Sequence, residues 1–126
     1  MQVPDDLKYT TEHEWVKPEG KTVVVGITDF AQDSLGDIVY VQLPQVGSKF
    51  ESGATLGEIE STKSVSDIYC PVSGTVTEIN LSLNDSPEVI NSDPYVAGWL
   101  CKVEIDNESD LESLLTAEDY SKLTES

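Results

Sequence analysis

The chain has 126 residues and a mass of 13.8 kDa, which suits a single domain with one hydrophobic core. It carries 24 acidic residues against seven basic ones, all lysines, for a formal net charge of −17. This charge argues against binding to DNA, RNA or an anionic membrane surface, because each of these needs clustered cations on the protein.

Short strand-like runs recur along the chain, with turn residues between them. Runs rich in Val, Ile and Thr predict seven strands: Trp15–Val16, Thr22–Ile27, Asp37–Leu43, Thr55–Glu60, Val65–Cys70, Gly74–Ile79 and Trp99–Ile105. Pro18-Glu19-Gly20 and Pro71 are among the residues that predict turns. Many short strands with such turns indicate an all-β sandwich or barrel.

Two short helical segments are predicted between the strands. Thr28 or Asp29 provides an N-cap for a helix over Phe30–Leu35, which stops at Gly36. A brief helical turn is predicted over Pro87–Ile90, because proline is favoured at the first helical position. We therefore expect short helices between strands of a mostly antiparallel sheet structure.

The C-terminal part of the chain shows leucines at helical spacing. This pattern predicts helical structure over Ser109–Leu123, with Thr116 and Asp119 suited to cap a second short helix within it. No linker or low-complexity segment divides the sequence. Residues 1–126 are therefore predicted to form one domain with a short C-terminal helical extension.

The sequence holds few residues suited to metal binding or nucleophilic catalysis. It has one histidine, His13, and two cysteines, Cys70 and Cys101, which lack the CxxC spacing of a redox or zinc site. We expect no metal site, no Ser-His-Asp triad and two reduced, buried thiols.

Lys63 occupies a distinctive place between two predicted strands, ten residues after Gly53 and eleven before Gly74. A hairpin with Thr62-Lys63 at its tip would hold the lysine ammonium in solvent. Since neither tip residue is Gly or Asn, a type I turn or a longer loop is favoured over the primed hairpin turns.

The segment around Lys63 and several other motifs resemble one family, the lipoyl-carrying H proteins of the glycine cleavage system. The resemblance runs from about residue 7 to residue 123 and includes the attachment stretch Gly57–Gly74. The further motifs occur in the family's order: Tyr9–Trp15, Gly26–Ala31, Leu35–Val39, Asn91–Tyr95 and Gly98–Leu100. Several separate motifs in order make the resemblance highly specific.

The resemblance implies a fold, a cofactor and a role. The implied fold is a flattened, mostly antiparallel barrel-sandwich hybrid of the lipoyl/biotinyl type, with short peripheral helices. The implied cofactor is lipoic acid, joined to Lys63 as an amide. The implied role is that of a non-catalytic carrier that takes the aminomethyl group of glycine from a pyridoxal-phosphate glycine decarboxylase to an aminomethyltransferase. Dihydrolipoamide dehydrogenase then reoxidises the dithiol.

Further partners, location and site residues follow from the same resemblance. Enzymes that attach lipoate or octanoate are expected partners, and basic docking surfaces are expected on the partners of so acidic a chain. The location is expected to be cytoplasmic for a bacterial protein, or the mitochondrial matrix for a processed eukaryotic one. Because a loaded arm carries an ammonium, a carboxylate in a cleft would protect it: Glu14 is the first candidate, and Glu12, His13 and Asp67 are further cleft candidates.

Other readings remain open. Biotinyl carriers usually have methionines beside the lysine, and dehydrogenase-complex lipoyl domains usually have Asp before it, whereas here Thr62 precedes Lys63. The chain is alternatively a lipoyl donor that passes lipoate to other complexes, or an acidic binding module whose lysine stays unmodified. An isolated turn lysine is most often merely solvated, and the candidate carboxylates could equally face solvent.

Overall fold

The computed structural model describes residues 2–125, which form nine strands and five short helices. The strands are β1 Lys8–Tyr9, β2 Glu14–Glu19, β3 Thr22–Ile27, β4 Ile38–Gln42, β5 Lys49–Phe50, β6 Thr55–Ser61, β7 Val65–Tyr69, β8 Gly74–Ile79 and β9 Cys101–Ile105. The helices are α1 Asp29–Leu35, α2 Ser82–Asp85, α3 Val89–Ser92, α4 Ser109–Glu112 and α5 Ala117–Glu125. The two ends of the predicted 1–126 domain, residues 1 and 126, lie outside the described residues.

The strands form two antiparallel sheets that enclose the main core. The larger sheet has the order β1-β2-β3-β9-β8-β5 and the smaller one the order β4-β6-β7. Apolar side chains from both sheets make up one cluster, which includes Val23, Val25 and Val103 from the larger sheet and Ile59 and Ile68 from the smaller one. The predicted mostly antiparallel architecture with short helices is confirmed, and within residues 2–125 neither sheet closes into a barrel.

A second apolar cluster joins the two ends of the chain. It contains Leu7, Tyr9, Trp15, Val24, Ala117 and Tyr120. The rings of Tyr9 and Tyr120 stack with centroids 4.7 Å apart, and the backbone of Tyr9 exchanges two hydrogen bonds with Leu115. The C-terminal helix α5 is therefore packed onto β1 and β2 rather than extending into solvent.

The first long strand differs from its prediction. β2 runs from Glu14 to Glu19, so Pro18 and Glu19 belong to the strand and not to the predicted turn, which is made by Gly20 and Lys21. β1 pairs with β2 only as far as Val16. At Pro18 the strand is therefore an edge, where the missing N–H of proline removes no ladder hydrogen bond.

Four of the five helices follow the sequence signals with small shifts, whereas α2 was not predicted. Thr28 caps α1, since its hydroxyl accepts a hydrogen bond from the Ala31 amide, and Gly36 ends the helix with a φ of 81°. The predicted C-terminal helical stretch is two helices, and the Thr116 hydroxyl accepts from the Asp119 amide at the start of α5. The strands β1 and β5 were not predicted, because two residues are too few to show a period.

Replacement of Gly57 by alanine tests the close approach of β4 and β6. A Cβ atom at Gly57 would lie 2.2 Å from the carbonyl oxygen of Gln42, so Gly57→Ala must push the two strands apart. We expect the free energy of unfolding to fall by roughly 2–3 kcal/mol in urea denaturation. Thr55→Ala, at an exposed position of the same strand, is the control. Equal stabilities for the two variants would contradict the close approach.

Candidate functional site

Lys63 lies at the tip of the β6–β7 hairpin, as predicted. Residues 62–64 connect the strands, and the Ser61 amide donates to the Ser64 carbonyl over 2.8 Å. The Ser61 hydroxyl oxygen accepts hydrogen bonds from the amides of Lys63 and Ser64 at 3.2 and 3.1 Å. No residue of the tip has a positive φ, which agrees with the absence of a primed turn. One serine side chain thus closes a tip that contains no glycine.

The segment between α1 and β4 anchors this tip from the side. The Thr62 amide donates to the Asp37 carbonyl over 3.0 Å. Asn91 holds the same segment, because its side chain accepts from the Ile38 amide and donates to the Gly36 carbonyl, each over 2.9 Å. Sequence reasoning placed Asn91 in a motif without a role, and only the folded chain shows that it supports the hairpin.

The side chain of Lys63 runs alongside Gly36. A Cβ atom at Gly36 would lie 3.3 Å from Lys63 Cε and 3.7 Å from its Nζ. Lys63 is exposed and takes part in none of the four ion pairs found within residues 2–125. Its amine is therefore accessible for acylation. Loss of its charge would break none of these four ion pairs.

Glu14 is a buried carboxylate that connects the two sheets. Its side chain is 2% exposed, and it accepts hydrogen bonds from the Thr10 hydroxyl at 2.6 Å and from the Tyr69 amide at 3.3 Å. Burial raises the pKa of Glu14 to about 7, although the hydrogen bonds from Thr10 and Tyr69 oppose this shift. The simple reading in which Glu14 faces solvent is therefore wrong.

Glu14 lines a cavity of about 230 Å³ at the end of β7. Its other lining residues include Glu12, Tyr69 and Cys70, with Ser52 and Ser113 from neighbouring segments. Glu12 is exposed at this cavity, whereas Asp67 is exposed on β7 and is not among the lining residues. Asp67 nevertheless lies two residues from Tyr69 on the same side of β7, because successive side chains of a strand alternate.

His13, which the sequence analysis gave as a further cleft candidate, is not among the residues that line this cavity. It sits in a turn before β2 with a φ of 70°, stacks on Phe30, and lies 2.7 Å from the Tyr120 hydroxyl through Nδ1. The same hydroxyl is 2.7 Å from Thr28 Oγ1. Burial lowers the pKa of His13, with Glu12 acting in the opposite direction. His13 thus connects α5 to the start of α1.

Both cysteines are buried free thiols, as the sequence predicts. Cys70 Sγ lies 3.0 Å from the Val72 carbonyl, and burial raises its pKa to about 11. Burial raises the pKa of Cys101 as well. Thiols held in the protonated form are poor nucleophiles, so neither cysteine is suited to redox chemistry at neutral pH.

A larger cavity, of about 380 Å³, lies on the outer face of the larger sheet and contains none of the predicted site residues. Trp15, Trp99 and Lys102 are part of its lining, and Lys102 pairs with Glu19 and Glu78. Among residues 2–125 no group of three or more His, Cys, Asp or Glu side chains is arranged to hold a metal ion. Within the same residues, no helix has the length and apolar character to span a membrane.

An accessible lysine on an anchored hairpin, in a scaffold of two small antiparallel sheets, is the arrangement expected of a carrier domain, a protein that presents one modifiable side chain to other molecules. A family profile described as glycine cleavage H-protein matches residues 7–126. The chain belongs to the glycine cleavage H-protein family, the lipoyl-carrying component of the glycine cleavage system.

Individual relatives agree with this assignment. The chain is 54% identical over 123 residues to the glycine cleavage system H protein of Carboxydothermus hydrogenoformans, covering 98% of this chain and 95% of the relative. The H protein of Staphylococcus saprophyticus is also 54% identical over 123 residues, with 98% of each chain covered. The crystal structure of an H protein from Mycobacterium marinum superposes with a TM-score of 0.90 at 42% identity, covering 98% of this chain and all of that one.

The raised pKa of Glu14 predicts a pH-dependent stability. The folded state binds more protons than the unfolded state between the ordinary pKa of 4.5 and the folded value of about 7, so wild-type stability falls as pH rises through this window. Glu14→Gln removes that loss. We expect urea denaturation to show the variant gaining on wild type from pH 5 to pH 8, by about 3 kcal/mol at most. A difference that stays constant across this range would contradict the shift.

Proposed function

We propose that Lys63 is the residue of this chain that carries lipoic acid, attached through an amide to Nζ. The observation that supports this most directly is the position of Lys63, exposed at a tip that is hydrogen-bonded to the α1–β4 segment and lacking an ion pair within residues 2–125. Lipoic acid would supply a dithiolane at the end of a long flexible arm, which accepts and passes on the aminomethyl group. The protein supplies position and environment and needs no catalytic residue of its own.

The proposed partners follow from membership in the glycine cleavage system. They are the pyridoxal-phosphate glycine decarboxylase, the aminomethyltransferase, the dihydrolipoamide dehydrogenase and the enzymes that attach lipoate or octanoate. The charge of −17 disfavours nucleic acid and anionic membranes as partners. The bacterial origin of the relatives named above favours a cytoplasmic location, and the packing of Tyr9 against Tyr120 favours one functional unit over residues 1–126.

We also propose that Glu14 holds the ammonium of the aminomethyl cargo when the arm lies along the protein. Val65, Asp67 and Tyr69 share one side of β7 and lead from the hairpin towards the cavity that Glu14 lines. A cation that enters the cavity would stabilise the charged form of Glu14, which is buried beside Thr10. The cation would offset the desolvation that raises the pKa of this carboxyl group. Glu12 at this cavity and Asp67 on the way to it are second candidates, while His13 points elsewhere.

Lys63→Arg tests the attachment site. Arginine keeps the charge and the exposed turn position, so the variant should fold like wild type, but it cannot form the lipoyl amide. We expect intact-mass measurement to show no lipoyl addition and glycine–bicarbonate exchange with purified decarboxylase to be lost. Lys122→Arg, at an exposed position of the C-terminal helix α5, should keep both properties. Exchange at the wild-type rate with only the Lys63 variant present would refute the assignment.

Glu14→Gln tests the protective role. Glutamine keeps the side-chain shape and an acceptor for the Tyr69 amide but removes the charge. We expect lipoylation to be unchanged and the isolated aminomethylated protein to release formaldehyde and ammonia several-fold faster, since hydrogen bonds to charged groups are about twice as strong as neutral ones. Glu104→Gln, exposed on the larger sheet, is the matched control. Equal release from the Glu14 variant and wild type would rule out this role.

The alternative function is that of a lipoyl donor to other lipoate-dependent complexes. The glycine cleavage role and the donor role both need a lipoylated Lys63. Intact-mass measurement therefore distinguishes these two functions from an unmodified binding module, but not from each other. Aminomethylation of the lipoylated protein by glycine decarboxylase distinguishes the two, because a donor alone has no need to enter that enzyme. Family membership favours the glycine cleavage role.

A further inference from the structure

The outer side of the smaller sheet adjoins the hairpin tip that carries Lys63, and it combines exposed apolar side chains with carboxylates. Its outward-facing side chains include Gln42 and Tyr69 and the six that we call the hairpin face: Val39, Tyr40, Glu58, Glu60, Val65 and Asp67. Large apolar side chains are normally scattered singly over a protein surface. Here three of them share one small sheet with three carboxylates.

Strand register brings these residues together in rows. Glu60 pairs with Tyr40 on one side and with Val65 on the other, and the next row contains Glu58 opposite Asp67. Directly opposed side chains on one face have Cβ atoms about 4.5–5.5 Å apart. The two apolar side chains of the first row therefore flank a carboxylate at the end of the sheet nearest Lys63.

A bulge in β4 adds the third apolar side chain. Pairing shifts between Ile38 and Tyr40, so that Val39 and Tyr40 together oppose one position of β6. Such a bulge changes the direction of a side chain that would otherwise alternate to the inner face. Val39 is accordingly 54% exposed, beside Tyr40 at 51%, while Ile38 and Val41 are buried.

The hairpin face holds a large share of the exposed apolar surface. Of the seven exposed large apolar side chains among residues 2–125, Val39, Tyr40 and Val65 lie here, and the other four lie outside the three strands of this sheet. Core formation does not require Val39, Tyr40 and Val65 to be exposed, because the opposite face of the same strands already supplies Ile59 and Ile68 to the core. The exposure therefore needs a reason outside the folding of the chain.

Charge limits what can cover this face. The strands β4, β6 and β7 contain no lysine, and acylation of Lys63 would remove the one cation at their tip. A second copy of the chain would place Glu58, Glu60 and Asp67 against like charges, and an anionic lipid surface would be repelled. A partner with an apolar recess bordered by Lys and Arg side chains is complementary.

We propose that the hairpin face is the docking surface for enzymes that receive the arm of Lys63, and that those enzymes present a basic rim with an apolar recess beside the active-site entrance. This inference rests on the proposed function. The anchored hairpin fixes Lys63 relative to the face, so docking of the face aims the arm at the entrance. Tyr40 is the main anchor, because aromatic side chains dominate binding at such interfaces.

The test measures glycine–bicarbonate exchange at varied concentrations of fully lipoylated carrier. Tyr40→Ser should raise the KM for the carrier about tenfold and leave kcat within about twofold, since truncated interface anchors weaken binding by at least that factor. Val65→Thr should raise KM by a smaller factor. Val96→Thr is the matched control, since Val96 is exposed and lines the cavity on the outer face of the larger sheet. It should keep the wild-type KM.

A double substitution tests the charge. Wild-type KM should rise as added salt screens interactions over a Debye length of about 8 Å near physiological ionic strength. Glu58→Gln with Glu60→Gln should flatten this salt dependence. The pair Glu108→Gln with Glu112→Gln, exposed near the C-terminus, removes the same charge elsewhere and should not. Equal salt slopes for the two double variants would show that the face is not the charged contact.

The outcomes separate the docking surface from the function on which it rests. If wild type supports exchange and Tyr40→Ser keeps its KM, the docking assignment alone is wrong. If sedimentation shows a wild-type dimer that Tyr40→Ser converts to monomer, the face is a contact between copies of this chain, and the assignment is again wrong. If wild type is not lipoylated or supports no exchange, the proposed function fails and the docking surface fails with it.

Discussion

The geometry of the site depends on one backbone hydrogen bond, from the Thr62 amide to the Asp37 carbonyl. Pairing of β4 with β6 supports one strand of the hairpin as far as Ser61, but a tip that only protruded beyond this pairing would have no fixed direction. This bond joins the tip to the α1–β4 segment, which Asn91 holds in turn through Gly36 and Ile38. The Lys63 side chain is therefore exposed while its backbone is held. An arm attached to a held backbone would sample a limited region, which the proposed carrier role requires.

Glu14 shows a conflict between stability and the proposed function. Its carboxylate connects the Thr10 turn to the end of β7, yet it is buried enough for its pKa to rise to about 7. A glutamine could keep the bridging hydrogen bonds without the cost of burying a charge. Entry of a cation into the cavity would offset the cost of burying the carboxylate. The low-dielectric surroundings that destabilise an isolated charge also strengthen the attraction between the carboxylate and the cation.

The two sheets divide the surface of the molecule between them. The outer face of the larger sheet is partly covered, since Trp15 and Val24 pack there against Tyr120 and the C-terminal helix. The smaller sheet carries the hairpin. Within residues 2–125, no apolar cluster comparable to the one around Tyr120 packs a helix against the outer face of this sheet. The chain thus uses its termini to cover one sheet and leaves the sheet that bears Lys63 open to partners.

The sequence by itself determined seven of the nine strands described in residues 2–125, the capped helix α1, the exposed position of Lys63 and the family, because each depends on local periodicity or short motifs. It did not reveal that the side chains of His13 and Glu14, adjacent in the chain, contact different parts of the fold. His13 has left-handed backbone geometry and contacts Tyr120, 107 residues away, whereas Glu14 accepts a hydrogen bond from Tyr69, 55 residues away. Nor did it show that Pro18 continues a strand or that a bulge turns Val39 outward. Only the tertiary structure decided these, because burial, edge position and register arise from contacts between segments remote in sequence.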